Sequence, residues 1–264
     1  KPENPPFWPN KNQINKNFSE EKLTLNAPLE LAGYVHIEAG FDNLKPWREL
    51  AWLEQHCTLP FRSIAYLDLT LPETSFLAGL KKITHFQSCV GIRNIFDDDE
   101  ITLLTSQTVK QNLNHIARHE LIFEIQINLS KPCALMAITE LLNSHPNLHI
   151  IINHAGFPPT SSNNYDTWLQ AVKTLKQYST VAIKCSGWEM SDANNKLAFA
   201  KQSINKLLQH FDYNRIMIAS NFPLVLFEQE YSDYWSQLVN ELDVSPEQIN
   251  KLVLNNSQRI YRFE

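Results

Sequence analysis

Residues 181–187 read Val181-Ala182-Ile183-Lys184-Cys185-Ser186-Gly187, a short apolar run that ends in a lysine, a serine and a glycine. A run apolar on both faces is the pattern of a parallel strand covered by helices. Six more such runs recur: Tyr34–Glu38, Ser63–Leu69, Cys89–Arg93, Ile122–Ile127, His149–Asn153 and Arg215–Ala219. Helical patterns separate them. Val109, Leu113 and Ile116 share one helix face; so do Tyr165, Trp168, Leu169 and Val172, and so do Ile204, Leu207 and Leu208. Ser245, Pro246 and Gln248 supply an N-cap, a first-turn proline and a capping-box partner for the last helix. The alternation predicts an α/β fold. Seven strands fit an open parallel sheet, or better a (β/α)8 TIM-like barrel whose first strand is missing from this chain. The barrel predicts a gap or a foreign segment between Tyr34–Glu38 and Arg215–Ala219, since folded proteins avoid bare strand edges.

Upstream of the first run, Pro2, Pro5, Pro6 and Pro9 forbid regular pairing, so residues 1–30 read as an extended N-terminal loop. Residues 31–264, with no linker or repeat, read as one barrel domain. The chain starts at Lys1, and its native N-terminus is expected upstream. A net charge of −5 over 264 residues lacks the basic excess that nucleic-acid binding requires. No apolar stretch approaches the ~20 residues that cross a membrane, and residues 1–18 lack a signal-peptide core. Cys57, Cys89, Cys133 and Cys185 lie far apart with no C-x-x-C spacing. They read as free, mostly buried thiols in a reducing, cytoplasmic setting.

In a barrel of this kind the active site forms where strands end and the following loops begin. Polar residues fall there: His36 and Glu38, Asp68, Arg93, Glu124 and Gln126, His154, Lys184 and Ser186, then Ser220 and Asn221. Period-two alternation places His36 with Glu38, Glu124 with Gln126, and Lys184 with Ser186 on common sides. Charge inside an apolar strand is costly unless it is paired or used. The carboxylates Glu38, Asp68 and Glu124 also suit an ion-pair layer with Arg93 and Lys184 that plugs the barrel. His154 ends a buried strand, which favours a catalytic or binding role. The other histidines read as surface or packing residues. Asp97, Asp98, Asp99 and Glu100 read as a solvated helix start rather than a metal site.

These residues carry a family resemblance. The chain resembles the lactonase-like, amidohydrolase-related branch of the amidohydrolase superfamily. The similarity lies in Gly91-Ile92-Arg93, Asn153-His154-Ala155-Gly156-Phe157-Pro158, Lys184-Cys185-Ser186-Gly187, Ala219-Ser220-Asn221-Phe222-Pro223 and Asn256-Ser257-Gln258-Arg259-Ile260-Tyr261-Arg262. In order, they match the family's G-I-R, D-H-x-G-x-P, K-x-S-G, G-S-D-W-P and G-N-A-x-R-x-Y signatures over residues 31–264. The resemblance implies a distorted TIM barrel that hydrolyses small esters, lactones or amides; a metal-dependent decarboxylase branch shares the fold. Two departures stand out. The superfamily's first-strand His-x-His has no match here, and the family's last-strand Asp is Asn221, which cannot take a proton as a carboxylate does. No metal ligand set is specified, and a divalent metal such as zinc is implied only if a His-x-His precedes Lys1.

The leading expectation is a hydrolase of a small, carboxylate-bearing lactone or related ester or amide. His154 acts as base or orienting partner, Arg93 and Lys184 grip a carboxylate or an oxyanion, and Asn221 completes the catalytic set. His36, Glu38, Glu124, Gln126 and Ser186 contact substrate. The alternatives are a metal-dependent decarboxylase, or a degenerate barrel that binds a small molecule or a partner protein without catalysis. The expected partner is a small-molecule substrate, not nucleic acid or a membrane; no oligomeric state is specified.

Overall fold

A computed structural model describes residues 11–96 and 100–263. The four early prolines and Asp97–Asp99 lie outside the described residues. Strands β1 (Tyr34–Ile37), β2 (Phe61–Tyr66), β3 (Cys89–Phe96), β4 (Ile122–Ile127), β5 (His149–Ile152), β6 (Val181–Cys185) and β7 (Ile216–Ile218) form one parallel sheet in sequence order. Helices α1 (Trp47–His56), α2 (Glu73–Ile83), α3 (Gln107–Arg118), α4 (Pro132–Ser144), α5 (Tyr165–Leu175), α6 (Lys196–His210) and α7 (Tyr231–Glu241) follow the strands one for one. The chain then runs through α8 (Pro246–Asn250), a π turn and α9 (Asn256–Ile260). The Ser245 capping box forms as the sequence predicts, with Ser245 and Gln248 bonding each other's backbone N–H.

The sheet curls into a TIM-like half-barrel with helices outside. Alternation along each strand builds two apolar layers. Phe123, Ile125 and Ile127 of β4 join the layer between sheet and helices, as do Ile150 and Ile152 of β5 and Val181, Ile183 and Cys185 of β6. Burying a side chain the size of Phe123 contributes about 1.5–3 kcal/mol, so this layer dominates the stability. The opposite parity faces the concave side, where Val35, Ile37, Ile64, Val90, Ile122, Ile151, Ala182 and Met217 meet. Glu124 and Lys184 continue that parity toward the C-terminal ends of β4 and β6.

Among the described residues no pairing joins β1 to β7, so the expected gap lies between them. Ile260, Tyr261 and Phe263 pack into the concave cluster, and Arg62 donates to the Arg262 carbonyl at 2.9 and 3.1 Å. Residues 11–33 carry two short 3-10 turns. Glu20 fastens this segment to the domain, accepting from the Tyr34 hydroxyl, from Thr58 N–H and hydroxyl, and from Leu59 N–H.

Several sequence-based limits shift. β2 ends at Tyr66, so Asp68 lies in a loop and accepts from the Thr70 N–H and hydroxyl. β3 runs three residues past Arg93 to Phe96. Cys89 and Cys185 are buried free thiols, whereas Cys133 is exposed. Among the described residues no helix is long and apolar enough to cross a membrane.

Candidate active site

Arg93 is the hub of a buried polar network at the strand ends. Its guanidinium donates from Nε to Asn153 Oδ1 (3.0 Å), from Nη1 to Glu38 Oε1 (2.7 Å) and from Nη2 to Gln126 Oε1 (2.5 Å). The register makes this possible, because Arg93 pairs with Glu124 and Ile95 with Gln126 across β3 and β4. Asn153 passes the network on, donating from Nδ2 to Glu124 Oε2 at 2.6 Å. Glu124, with 0% exposure, also accepts from the Lys184 ammonium and from the Tyr261 hydroxyl, the latter at 2.5 Å. Burial alone would raise the Glu124 carboxyl, but the Lys184 charge and three donors outweigh it and hold the group below its usual range. Burial pulls the Lys184 ammonium down from its ordinary value while Glu124 opposes that.

His154 sits beside this network on an unusual turn. His154 (φ 51°), Ala155 (φ 54°), Gly156 (φ 67°) and Phe157 (φ 56°) are all left-handed, a conformation that costs L-residues energy and needs support. The Trp168 indole N–H donates to the Ala155 carbonyl (2.9 Å) and Leu129 N–H to the Gly156 carbonyl (3.0 Å), which pins the turn. The ring then lies with Nδ1 at 3.0 Å from Ser186 Oγ. Gly187 (φ 77°) backs it so closely that a Cβ there would come within 2.5 Å of Nδ1. Burial, helped by the Arg93 and Lys184 charges, pushes the imidazole well below its ordinary value. His154 is therefore neutral at pH 7. The Ser186 backbone, also bonded to the ring, only partly opposes this shift.

Asn221 (φ 56°), three residues beyond β7, donates from Nδ2 to Glu189 Oε1 at 2.5 Å. Glu189 belongs to the turn Trp188–Met190 that follows β6. Burial raises its carboxyl above the usual value, and the Asn221 bond only partly offsets this.

The structure thus gathers Arg93, Glu38, Glu124, Gln126 and Lys184 into one network, with the His154–Ser186 pair beside it and Asn221 tied to Glu189. His36 corrects the sequence reading. Val35 and Ile37 take the concave parity, so His36 faces α1, where Nε2 lies 2.6 Å from Glu49 Oε1. Glu38 lies past the end of β1, where alternation no longer binds it, and turns to Arg93 instead. His36 and Glu38 do not share a side. Sequence reasoning also passed over Asn153, Glu189 and Tyr261. Asn153 carries the concave parity of Ile151, a signal open to reading; Tyr261 lies 137 residues from Glu124, and no spacing could have joined them.

The donor set does not fit the metal that the resemblance implies. Among the described residues no three His, Cys, Asp or Glu side chains are placed to hold an ion. Asn153 and Asn221 offer amides where the family signatures carry carboxylates, and Glu124 is already occupied by Lys184, Tyr261 and Asn153.

A curled parallel sheet with a polar cluster at its strand ends is the architecture of a TIM-like barrel that carries its site at the C-terminal face. The Amidohydrolase family model matches residues 87–263, and the chain belongs to the amidohydrolase family. It is 28% identical over 236 residues to the uncharacterized protein y4mH of Sinorhizobium fredii, covering 84% of this chain and 78% of that one. It is 22% identical over 179 residues to the L-fucono-1,5-lactonase of Burkholderia ambifaria, covering 66% and 60%. Two crystal structures share the fold. An amidohydrolase from Burkholderia multivorans with bound zinc aligns with a TM-score of 0.73 at 15% identity, covering 89% of this chain and 84% of that one. A Pseudomonas putida protein assigned as a 2-pyrone-4,6-dicarboxylic acid hydrolase gives 0.70 at 19%, covering 89% and 83%. The chain is a hydrolase of this class.

Proposed function

We propose that this hydrolase opens a small carboxylate-bearing lactone. The observation that carries the reading is the Arg93 guanidinium, immobilised by Glu38, Gln126 and Asn153 from three different strand ends. Those bonds use three of its five N–H donors. The remaining two, one on Nη1 and one on Nη2, are left for an anionic oxygen, a role in which Arg outperforms Lys. Lys184, by contrast, is committed to Glu124 and acts by holding the network in place.

His154 supplies the second element. In this reading Ser186 Oγ donates to Nδ1, so that the neutral ring carries its proton on Nε2 and presents a donor to the lactone carbonyl oxygen. A neutral imidazole suits this task, as its depressed pKa requires. Asn221 and Gln126 orient substrate oxygens. The decarboxylase alternative asks for metal donors that the described residues do not bring together. The similarity to a lactonase and to a 2-pyrone-4,6-dicarboxylic acid hydrolase supports a cyclic ester as substrate. We further take residues 31–264 as one domain, and place the enzyme in the cytoplasm, a setting that suits four free thiols.

The test is turnover of 2-pyrone-4,6-dicarboxylate, L-fucono-1,5-lactone and unsubstituted 2-pyrone, followed by proton release against a no-enzyme blank. The carboxylated ring is expected to be preferred, and Arg93→Ala to erase that preference. No turnover of any of the three would overturn the reading.

A further inference from the structure

Opening a lactone with water needs a group that takes a proton from that water. Asn221 cannot take one, since an amide has no basic site of use near neutral pH. His154 is poorly suited, because an imidazolium there would sit buried between Arg93 and Lys184. Burial raises the Glu38 carboxyl too, but Glu38 is the counter-ion that fixes Arg93 at 2.7 Å, and protonating it would break that pair. Glu124 is bound by Lys184 and two further donors and is held below its usual range. Glu124, stabilised so strongly as an anion, is a weak base. Glu189 differs from both, because among the described residues its side-chain hydrogen-bond partner is the neutral amide of Asn221.

We propose that Glu189 is the general base of this enzyme and that Asn221 holds it in place at the position where the family carries its own acidic residue. The inference rests on the lactone-hydrolase reading above. The placement supports it. Glu189 follows Gly187 by two residues, and Gly187 is the residue against which the His154 ring packs. Asn221 leaves β7 at the same C-terminal face. Asn221 spends Nδ2 on Glu189, which leaves Oδ1 to accept from the attacking water.

The chemistry balances. Glu189 takes one proton as the water oxygen bonds to the ring carbonyl carbon, and the carbonyl π pair moves onto oxygen, where His154 Nε2–H receives it. Collapse re-forms the carbonyl and breaks the ring C–O bond. The departing alkoxide takes the proton back from Glu189, giving the open hydroxy acid. The groups that face Glu189 set its titration. Burial raises its pKa, aided by Glu228 at the end of the turn Leu224–Phe227, while Asn221 and Lys196 of α6 lower it. Tyr234 of α7 also senses its charge. A carboxylate raised toward the working pH is the stronger base.

The experiment compares wild type, Glu189→Gln, Glu189→Asp and Asn221→Asp on the same lactones as a function of pH, with melting curves as a folding control. Glu189→Gln is expected to lose about 10²–10⁴-fold in kcat with KM little changed, and to lose the acid limb of the pH profile. Glu189→Asp should keep that limb at reduced kcat, and it decides the matter if the Gln variant does not fold. Asn221→Asp sets a second carboxylate against the first, so the acid limb should move up by about one pH unit or more. An acid limb that survives in Glu189→Gln, or a Glu189→Asp variant with unchanged kcat, overturns the base while the hydrolase reading stands. A wild type inactive on every lactone removes both.

Discussion

At the residue scale the site is governed by who neutralises whom. Arg93 and Glu38 form one ion pair and Lys184 and Glu124 another, so the buried network carries little net charge. Breaking a pair by removing one partner strands the other. Glu124→Gln should therefore cost about 3–5 kcal/mol in denaturant unfolding. The pH dependence follows from the same pair. The Glu124 carboxyl is held below its unfolded value of about 4.5. Its ionisation stabilises the fold fully above that pH, and the contribution is lost as pH falls through the lower folded value. Wild type should lose stability steeply below about pH 4.5, and Glu124→Gln should show a shallower loss. Arg93→Lys keeps the charge but cannot reach three acceptors in a plane, so kcat/KM on the carboxylated lactone should drop while Glu38 remains paired.

At the element scale, strand ends and the turns after them decide the chemistry. The Asn153–Phe157 turn aims His154, and Gly187 after β6 leaves room for the ring. Gly187→Ala would place a Cβ 2.5 Å from His154 Nδ1 and force a left-handed alanine. It should destabilise the fold by about 1–3 kcal/mol and remove most activity, because the ring must move. Ser245→Ala, remote from the site, should cost about 0.5–2 kcal/mol by losing the cap and leave the lactone KM unchanged. All seven strands were legible in the sequence because parallel strands buried on both faces advertise themselves as continuous apolar runs. Their ends were less legible. Asp68 fell into a loop and β3 ran on to Phe96, since hydrogen bonding to a neighbour, not composition, stops a strand.

At the scale of the whole molecule, the chain's end completes the inside of the half-barrel. Tyr261 packs among the concave residues and donates to Glu124, so Tyr261→Phe should cost about 1–3 kcal/mol by leaving a buried carboxylate short of a donor. The donor set leads to a further expectation: chelation should leave lactone turnover unchanged. Full loss of activity on chelation would show that donors outside the described residues hold a metal.

The sequence by itself determined the class of fold, the order of the strands and which of their ends are polar, because these follow from local periodicity and burial. It also placed His154, Arg93 and Lys184 at the strand ends. Only the tertiary structure decided what those groups touch. Lys184 is engaged with Glu124, His36 turns away to Glu49, Tyr261 reaches across the barrel, and Asn221 meets Glu189. Each of these contacts joins residues from different elements. The direction of a side chain past the end of a strand depends on neighbours that lie far away in sequence, and no local pattern encodes them.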